Sequence, residues 1–100
     1  MSIHPSALID LSARIGEYVV IEGGVTIGAG CVVQHGAVIG KSVVAGPGSR
    51  AADEVGRQPP TVIEPGAAIG CGAVLVAGGR IGEGAVAGDH LFVREGATLG

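Results

Sequence analysis

An aliphatic residue returns every six positions along this chain, and that period restricts the fold more than any other feature. Counting in sixes from Ile3 gives Ile9, Ile15, Ile21, Ile27, Val33, Ile39 and Ala45, and after an interruption Ile63, Ile69, Leu75, Ile81, Ala87, Val93 and Leu99. Thirteen of those fifteen are Ile, Leu or Val, which marks the column as buried. Four residues after each lies a second column of small residues, among them Ala7, Ala13, Val25, Cys31, Ala37, Ala67, Ala73 and Ala85. Three residues after each lies a third, which holds Gly24, Gly30, Gly36, Gly48, Gly66, Gly72, Gly78, Gly84 and Gly96.

A helix of period 3.6 would smear this pattern around its surface, and a plain strand would alternate every two residues without end. Six residues suit a short strand followed by a corner. The aliphatic side chain points inward, glycine supplies the left-handed backbone that residues with a Cβ resist, and the small residue enters the corner. Three such units close a triangle of 18 residues, and successive triangles pair their strands in parallel at about 4.8 Å. About five coils follow from a chain of 100 residues. Composition agrees with such a core: one Phe, one Tyr and no Trp leave Ile, Val and Ala to fill it.

Between Ser49 and Thr61 the columns fail, because RAADEVGRQPP carries four charges, a proline pair and no aliphatic column. The segment near 50–61 reads as a loop leaving the solenoid, and the alternative is one degenerate coil. If twelve residues loop out, Ile63 falls on the third face of coil three. The rest of residues 1–100 reads as a single domain. The chain stops at Leu99 and Gly100, at the start of another hexad and with neither a terminal helix nor a polar cap. An open solenoid end exposes unpaired strand edges, so the expectation is the N-terminal part of a longer chain.

Units such as IGAGCV, IGCGAV and IGEGAV resemble the bacterial hexapeptide-repeat acyltransferases, the family of lipid A acyltransferases and nucleotide-sugar N-acetyltransferases. The resemblance covers nearly the whole chain outside the interruption. It implies an all-β, left-handed parallel β-helix, a hand that periodicity alone does not give. It also implies acyl transfer from coenzyme A or acyl carrier protein to an amino sugar or nucleotide sugar. Acetyl-CoA or an acyl-carrier thioester would then be a co-substrate, with no tightly bound cofactor. A homotrimer with clefts between subunits is implied as well, and in such proteins loops often reach over a neighbouring active site.

Acyl transfer to an amine or hydroxyl needs a base for the acceptor's proton and donors for the oxyanion. Histidine is the natural base. His35, two positions past its column aliphatic in VVQHGAVIG, stands where the resemblance places a catalytic histidine in an I-x-H-x-(C/A)-x-I-G setting. Glu17 lies eighteen residues earlier, which predicts the same site one coil below, from which a carboxylate could orient the imidazole. A solvated surface pair is the plainer reading, worth about 0–1 kcal/mol. His90 takes the corner position that glycine usually fills, with Asp89, Arg94 and Glu95 close in sequence, in a stretch resembling G-D-x-x-x-V-R-E of nucleotide-sugar acyltransferase-like proteins. These residues are candidates for substrate binding or catalysis, against an irregular coil without function. Tyr18 occupies another glycine corner and reads as a surface tyrosine, His4 as a structural residue, and Cys31 as core. Cys71 points outward, away from Cys31.

A net charge of −3 and the lack of stacking aromatics argue against nucleic-acid binding. No stretch of eighteen apolar residues and no charged-then-apolar start occurs, so neither a membrane span nor a signal peptide is expected and the reading is cytoplasmic. A noncatalytic scaffold or assembly solenoid is the alternative. A carbonic anhydrase of the same fold, which binds zinc through histidines that include an H-x4-H pair, is a minor one, because His4, His35 and His90 lack that spacing and no metal site is expected.

Overall fold

The computed structural model describes residues 2–41, 60–94 and 97–100. Glu95, the column positions Ala45, Gly48 and Gly96, and all of the expected loop except its last two residues lie outside them. The described residues form fourteen short strands, all paired in parallel. They are β1 (Ser2–Ile3), β2 (Leu8–Ile9), β3 (Arg14–Ile15), β4 (Val20–Ile21), β5 (Val25–Ile27), β6 (Val32–Val33) and β7 (Val38–Lys41), followed by β8 (Thr61–Ile63), β9 (Ala68–Ile69), β10 (Val74–Val76), β11 (Arg80–Ile81), β12 (Val86–Ala87), β13 (Phe92–Val93) and β14 (Thr98–Leu99).

Every third strand returns to the same face, giving the sheets β1-β4-β7-β10-β13, β2-β5-β8-β11-β14 and β3-β6-β9-β12. The chain is a left-handed parallel β-helix. Column aliphatics stack in register: Ile21 faces Ile39, Ile27 faces Ile63, and Val33 faces Ile69. Ile21, Ile27, Ile39, Ile63 and Ile81 form the core together with the small column residues Val19, Val25, Cys31, Ala37 and Ala67. Leu91 departs from that second column's pattern: it remains exposed where β13 ends the described part of its sheet.

The interruption resolves differently from the expectation at its far end. β5 and β8 are direct ladder neighbours, with Val25 opposite Thr61 and Ile27 opposite Ile63, so no degenerate coil separates them. Ile63 therefore occupies the second face of its coil, not the third. Thr61 belongs to β8, buried, with its hydroxyl oxygen accepting the Gly78 N–H at 2.9 Å. On the near side the ladder between β7 and β10 slips, so that Val76 faces Lys41 across a bulge at Gly40. Gly40 has φ +81°, and a Cβ there would lie 2.6 Å from a Val25 methyl, so only glycine permits this exit.

Candidate functional site

At the glycine-bearing corners the chain makes a four-residue turn with a positive φ at its third residue, closed for example by the hydrogen bond from Ala73 N–H to Gly70 C=O, whereas the first two corners, with Ser6 and Ser12 in that place, lack the positive φ. A positive φ in that place is the pattern of a type II turn, and it accounts for the glycine column. Glu64-Pro65-Gly66-Ala67 even carries the Pro-Gly pair that such turns favour. Tyr18 and His90 hold φ of 59° and 58° in the same place, as their column position predicts.

One corner, between the third sheet and the first, gathers most of the candidate residues. Its successive turns are 16–18, 34–36, 70–72 and 88–90, which align Glu17, His35, Cys71 and Asp89 along one edge. Backbone bonds join the turns: Gly36 N–H to Glu17 C=O, Gly72 N–H to His35 C=O, and His90 N–H to Cys71 C=O. The N–H of each turn's second residue has no such backbone partner. Side chains supply one for two of them. Glu17 N–H donates to His35 Nδ1 at 3.1 Å, and Cys71 N–H donates to Asp89 Oδ1 at 2.9 Å. Both caps come from a residue eighteen positions on, in the coil above.

Glu17 is thus one coil below His35, as the spacing predicts, but it meets the imidazole through its backbone amide and not its carboxylate. Glycine makes room for each capping side chain. A Cβ on Gly16 would lie 2.9 Å from His35 Nδ1, and one on Gly70 would lie 2.5 Å from Asp89 Oδ1. His90 leans back over the coil below in the same way, its Nδ1 2.6 Å from where a Gly72 Cβ would be. No hydrogen bond engages the His90 ring among the described residues. Arg94 lies at a different corner, beyond β13, where its carbonyl accepts the Ala97 N–H.

Beside His35 opens a cleft of about 290 Å³. Ile15, Val32 and Val33 supply apolar lining, and Arg14, Gln34, His35 and Cys71 supply polar groups. Cys71 was read from the sequence only as an outward thiol, and its place in this cleft is a feature that the six-residue frame did hold, since it is one coil above His35. Its Sγ lies 3.5 Å from Gln34 Oε1, whereas Cys31 is buried with Sγ 3.1 Å from Glu64 C=O, and both cysteines are free. Elsewhere the same corner economy recurs without a cleft of this lining. Asp10 accepts the Ser12 hydroxyl at 2.6 Å and the Ser12 N–H at 2.9 Å, which holds its carboxyl below the usual carboxylate range. His4 Nδ1 accepts the Ser6 N–H at 3.1 Å, which gives it the local structural place expected of it. No group of three His, Cys, Asp or Glu side chains among the described residues is arranged to hold a metal ion.

Residues 12–41 match the family described as bacterial transferase hexapeptide (six repeats). The chain is a solenoid of six-residue repeats. The hexapeptide solenoid resembles, with a TM-score of 0.64 and 22% identity, a His-to-Asn mutant of perosamine N-acetyltransferase from Caulobacter crescentus in complex with CoA and GDP-perosamine, over 98% of this chain and 47% of that one. A His-to-Ala mutant of the GDP-perosamine enzyme from the same organism, also with CoA and GDP-perosamine, matches at 26% identity and TM-score 0.54 over the same shares. Serine acetyltransferase isoform 3 from Entamoeba histolytica, in complex with cysteine, matches at 20% identity and TM-score 0.60, over 94% of this chain and 33% of that one. The hexapeptide solenoid spans about half or less of each of these proteins. No curated protein sequence matches it. Among the described residues no helix is long and apolar enough to cross a membrane.

Proposed function

We propose that this solenoid is the catalytic domain of an acyltransferase that moves an acetyl or other acyl group from a coenzyme A or acyl-carrier thioester to an amino sugar or nucleotide sugar. One observation carries the reading: a hexapeptide corner that carries two histidines, two coils apart, with a cleft of about 290 Å³ beside the first. The matched perosamine enzyme, bound to CoA and GDP-perosamine, supports the same donor and acceptor classes. In the reaction the acceptor's nitrogen or oxygen attacks the thioester carbon, a corner histidine takes the proton, and the carbon–sulfur bond breaks to release the donor thiol. Glu17 and Asp89 serve on the same edge, with Arg94 and Glu95 as further acceptor-binding candidates. The working unit is a homotrimer in the cytoplasm. Outward residues of the first sheet, Val20, Val38, Val74 and the exposed Phe92, offer an apolar strip for its interface, whereas the second sheet interleaves Leu8 and Val62 with Thr26, Arg80 and Thr98.

The test follows release of free thiol from acetyl-CoA with amino-sugar nucleotides as acceptors, alongside light scattering for the trimer. Turnover that falls on His35→Ala or His90→Ala, with circular dichroism unchanged, supports the reading, and turnover that survives both changes removes the proposed bases. A noncatalytic solenoid is the second reading. The observation favouring it is that His35 and Asp89 both spend their side chains on caps that any stable corner could use.

A further inference from the structure

The Glu17–His35 hydrogen bond fixes more than the position of a ring. A backbone N–H can only donate, so the nitrogen facing it has to be the acceptor. Glu17 N–H meets Nδ1 at 3.1 Å, which leaves the proton of the neutral imidazole on Nε2. Asp89, two coils above in the same place of its turn, fills that role with a carboxylate oxygen, a group that only accepts. At both of these turns the amide of the coil below is met by an acceptor, which a neutral imidazole supplies only through its bare ring nitrogen. An imidazole that accepts in this way turns an N–H outward and has no lone pair left to take a proton from a substrate.

His90 stands in the opposite condition. Its ring rests against the glycine-lined coil below, exposed, and neither nitrogen is engaged by a described residue. Two strand spacings, about 10 Å, separate its turn from that of His35, so the two rings do not reach one reacting atom together. Around His35 the cleft brings a second donor, the Arg14 guanidinium, over an apolar floor.

We propose that His35 is a binding residue, held by the Glu17 amide as an Nε2–H donor and aimed with Arg14 at an anionic or carbonyl-bearing part of the acceptor, and that His90 is the proton acceptor of the transfer. The proposal rests on the acyltransferase reading for its second half only, since the tautomer of His35 is a property of the unliganded protein.

Two measurements test it. Long-range nitrogen–proton correlation spectra of the protein labelled at histidine nitrogen report which ring nitrogen of neutral His35 carries hydrogen. A protonated Nε2 and a bare Nδ1 are expected, and the reverse overturns the donor role. In steady-state kinetics, His35→Asn keeps both an oxygen for the Glu17 N–H and an outward N–H, so its kcat should stay within about tenfold of the unmodified enzyme, whereas loss of a general base costs roughly 100-fold or more. His35→Ala should raise KM for the acceptor more than it lowers kcat, with the Asn variant restoring KM. His90→Asn keeps a residue that tolerates positive φ and should lose at least about 100-fold in kcat. A collapse of kcat in His35→Asn with activity intact in His90→Asn inverts the assignment and sinks the proposal. Absence of turnover in the unmodified protein would end the transferase reading and the base assignment with it, while the spectra still decide the state of His35.

Discussion

Tyr18 and His90 hold the left-handed backbone that glycine holds at the other described corners of this kind, with φ near +59° and +58°. A residue with a Cβ is disfavoured there by about 1–2 kcal/mol, partly offset because glycine loses more freedom on folding. Tyr18 is 77% exposed and has no described side-chain partner to compensate, so Tyr18→Gly should stabilise the fold by about 0.5–1 kcal/mol. Thermal unfolding would show a midpoint a few degrees higher, and a lower midpoint would mean that the ring makes a contact worth more than the strain. His90 carries the same strain beside the same edge. Strained non-glycine positions of this sort persist where surrounding structure over-determines them and gather at functional sites, which fits a residue kept for its imidazole.

At the level of strand and corner, stability resides in stacked columns. Ile63 is 1% exposed between Ile27 and Ile81 in adjacent rungs. Ile63→Ala should cost about 2–5 kcal/mol, read by denaturant unfolding, whereas truncating Ile3, which is 42% exposed, should cost far less. Equal losses at both sites would contradict a core confined to the inner coils. These columns were legible in the sequence because each place in the hexad has one physical requirement: an inward aliphatic, a positive φ, or a small corner residue. The face of Ile63 was not legible. A repeat of six stays in frame after any multiple of six is removed, so the sequence does not say how many residues leave the ladder, and only the pairing with Ile27 does. The candidate edge was half legible in the same sense. Eighteen-residue spacing placed Glu17 under His35 and would have placed Cys71 under Asp89, but it could not say that a backbone amide, and not a carboxylate, would meet the ring. Arg94 looked close to His90 because four residues separate them, yet a strand carries it to another corner.

For the whole molecule, a stack whose coils touch only their neighbours has stability that sums over units and interfaces. The first coil has a partner on one side only among the described residues, and its column residues Ala7, Ile9, Ala13 and Ile15 are only partly buried, whereas Val19, Ile21, Val25, Cys31, Val33 and Ile39 in the next turns are 0–1% exposed. Amides that open locally should therefore exchange in order of depth. The bonds from Ser2 and His4 N–H to Val19 and Ile21 C=O, and from Asp10 N–H to Ile27 C=O, should exchange early, and those of Val20, Glu22, Val32 and Gln34 late. Hydrogen exchange resolved by mass spectrometry checks this. The result also bears on the functional edge, because Glu17 N–H, capped by His35, belongs to the boundary between the weak first coil and the strong second. If the cap holds, Glu17 should exchange with the late group, and His35→Ala should move it into the early group while the exchange of Val32 and Gln34 is unchanged. Exchange of all these amides at one rate would instead mean that the solenoid opens only as a whole, with no weaker end for the cap to secure.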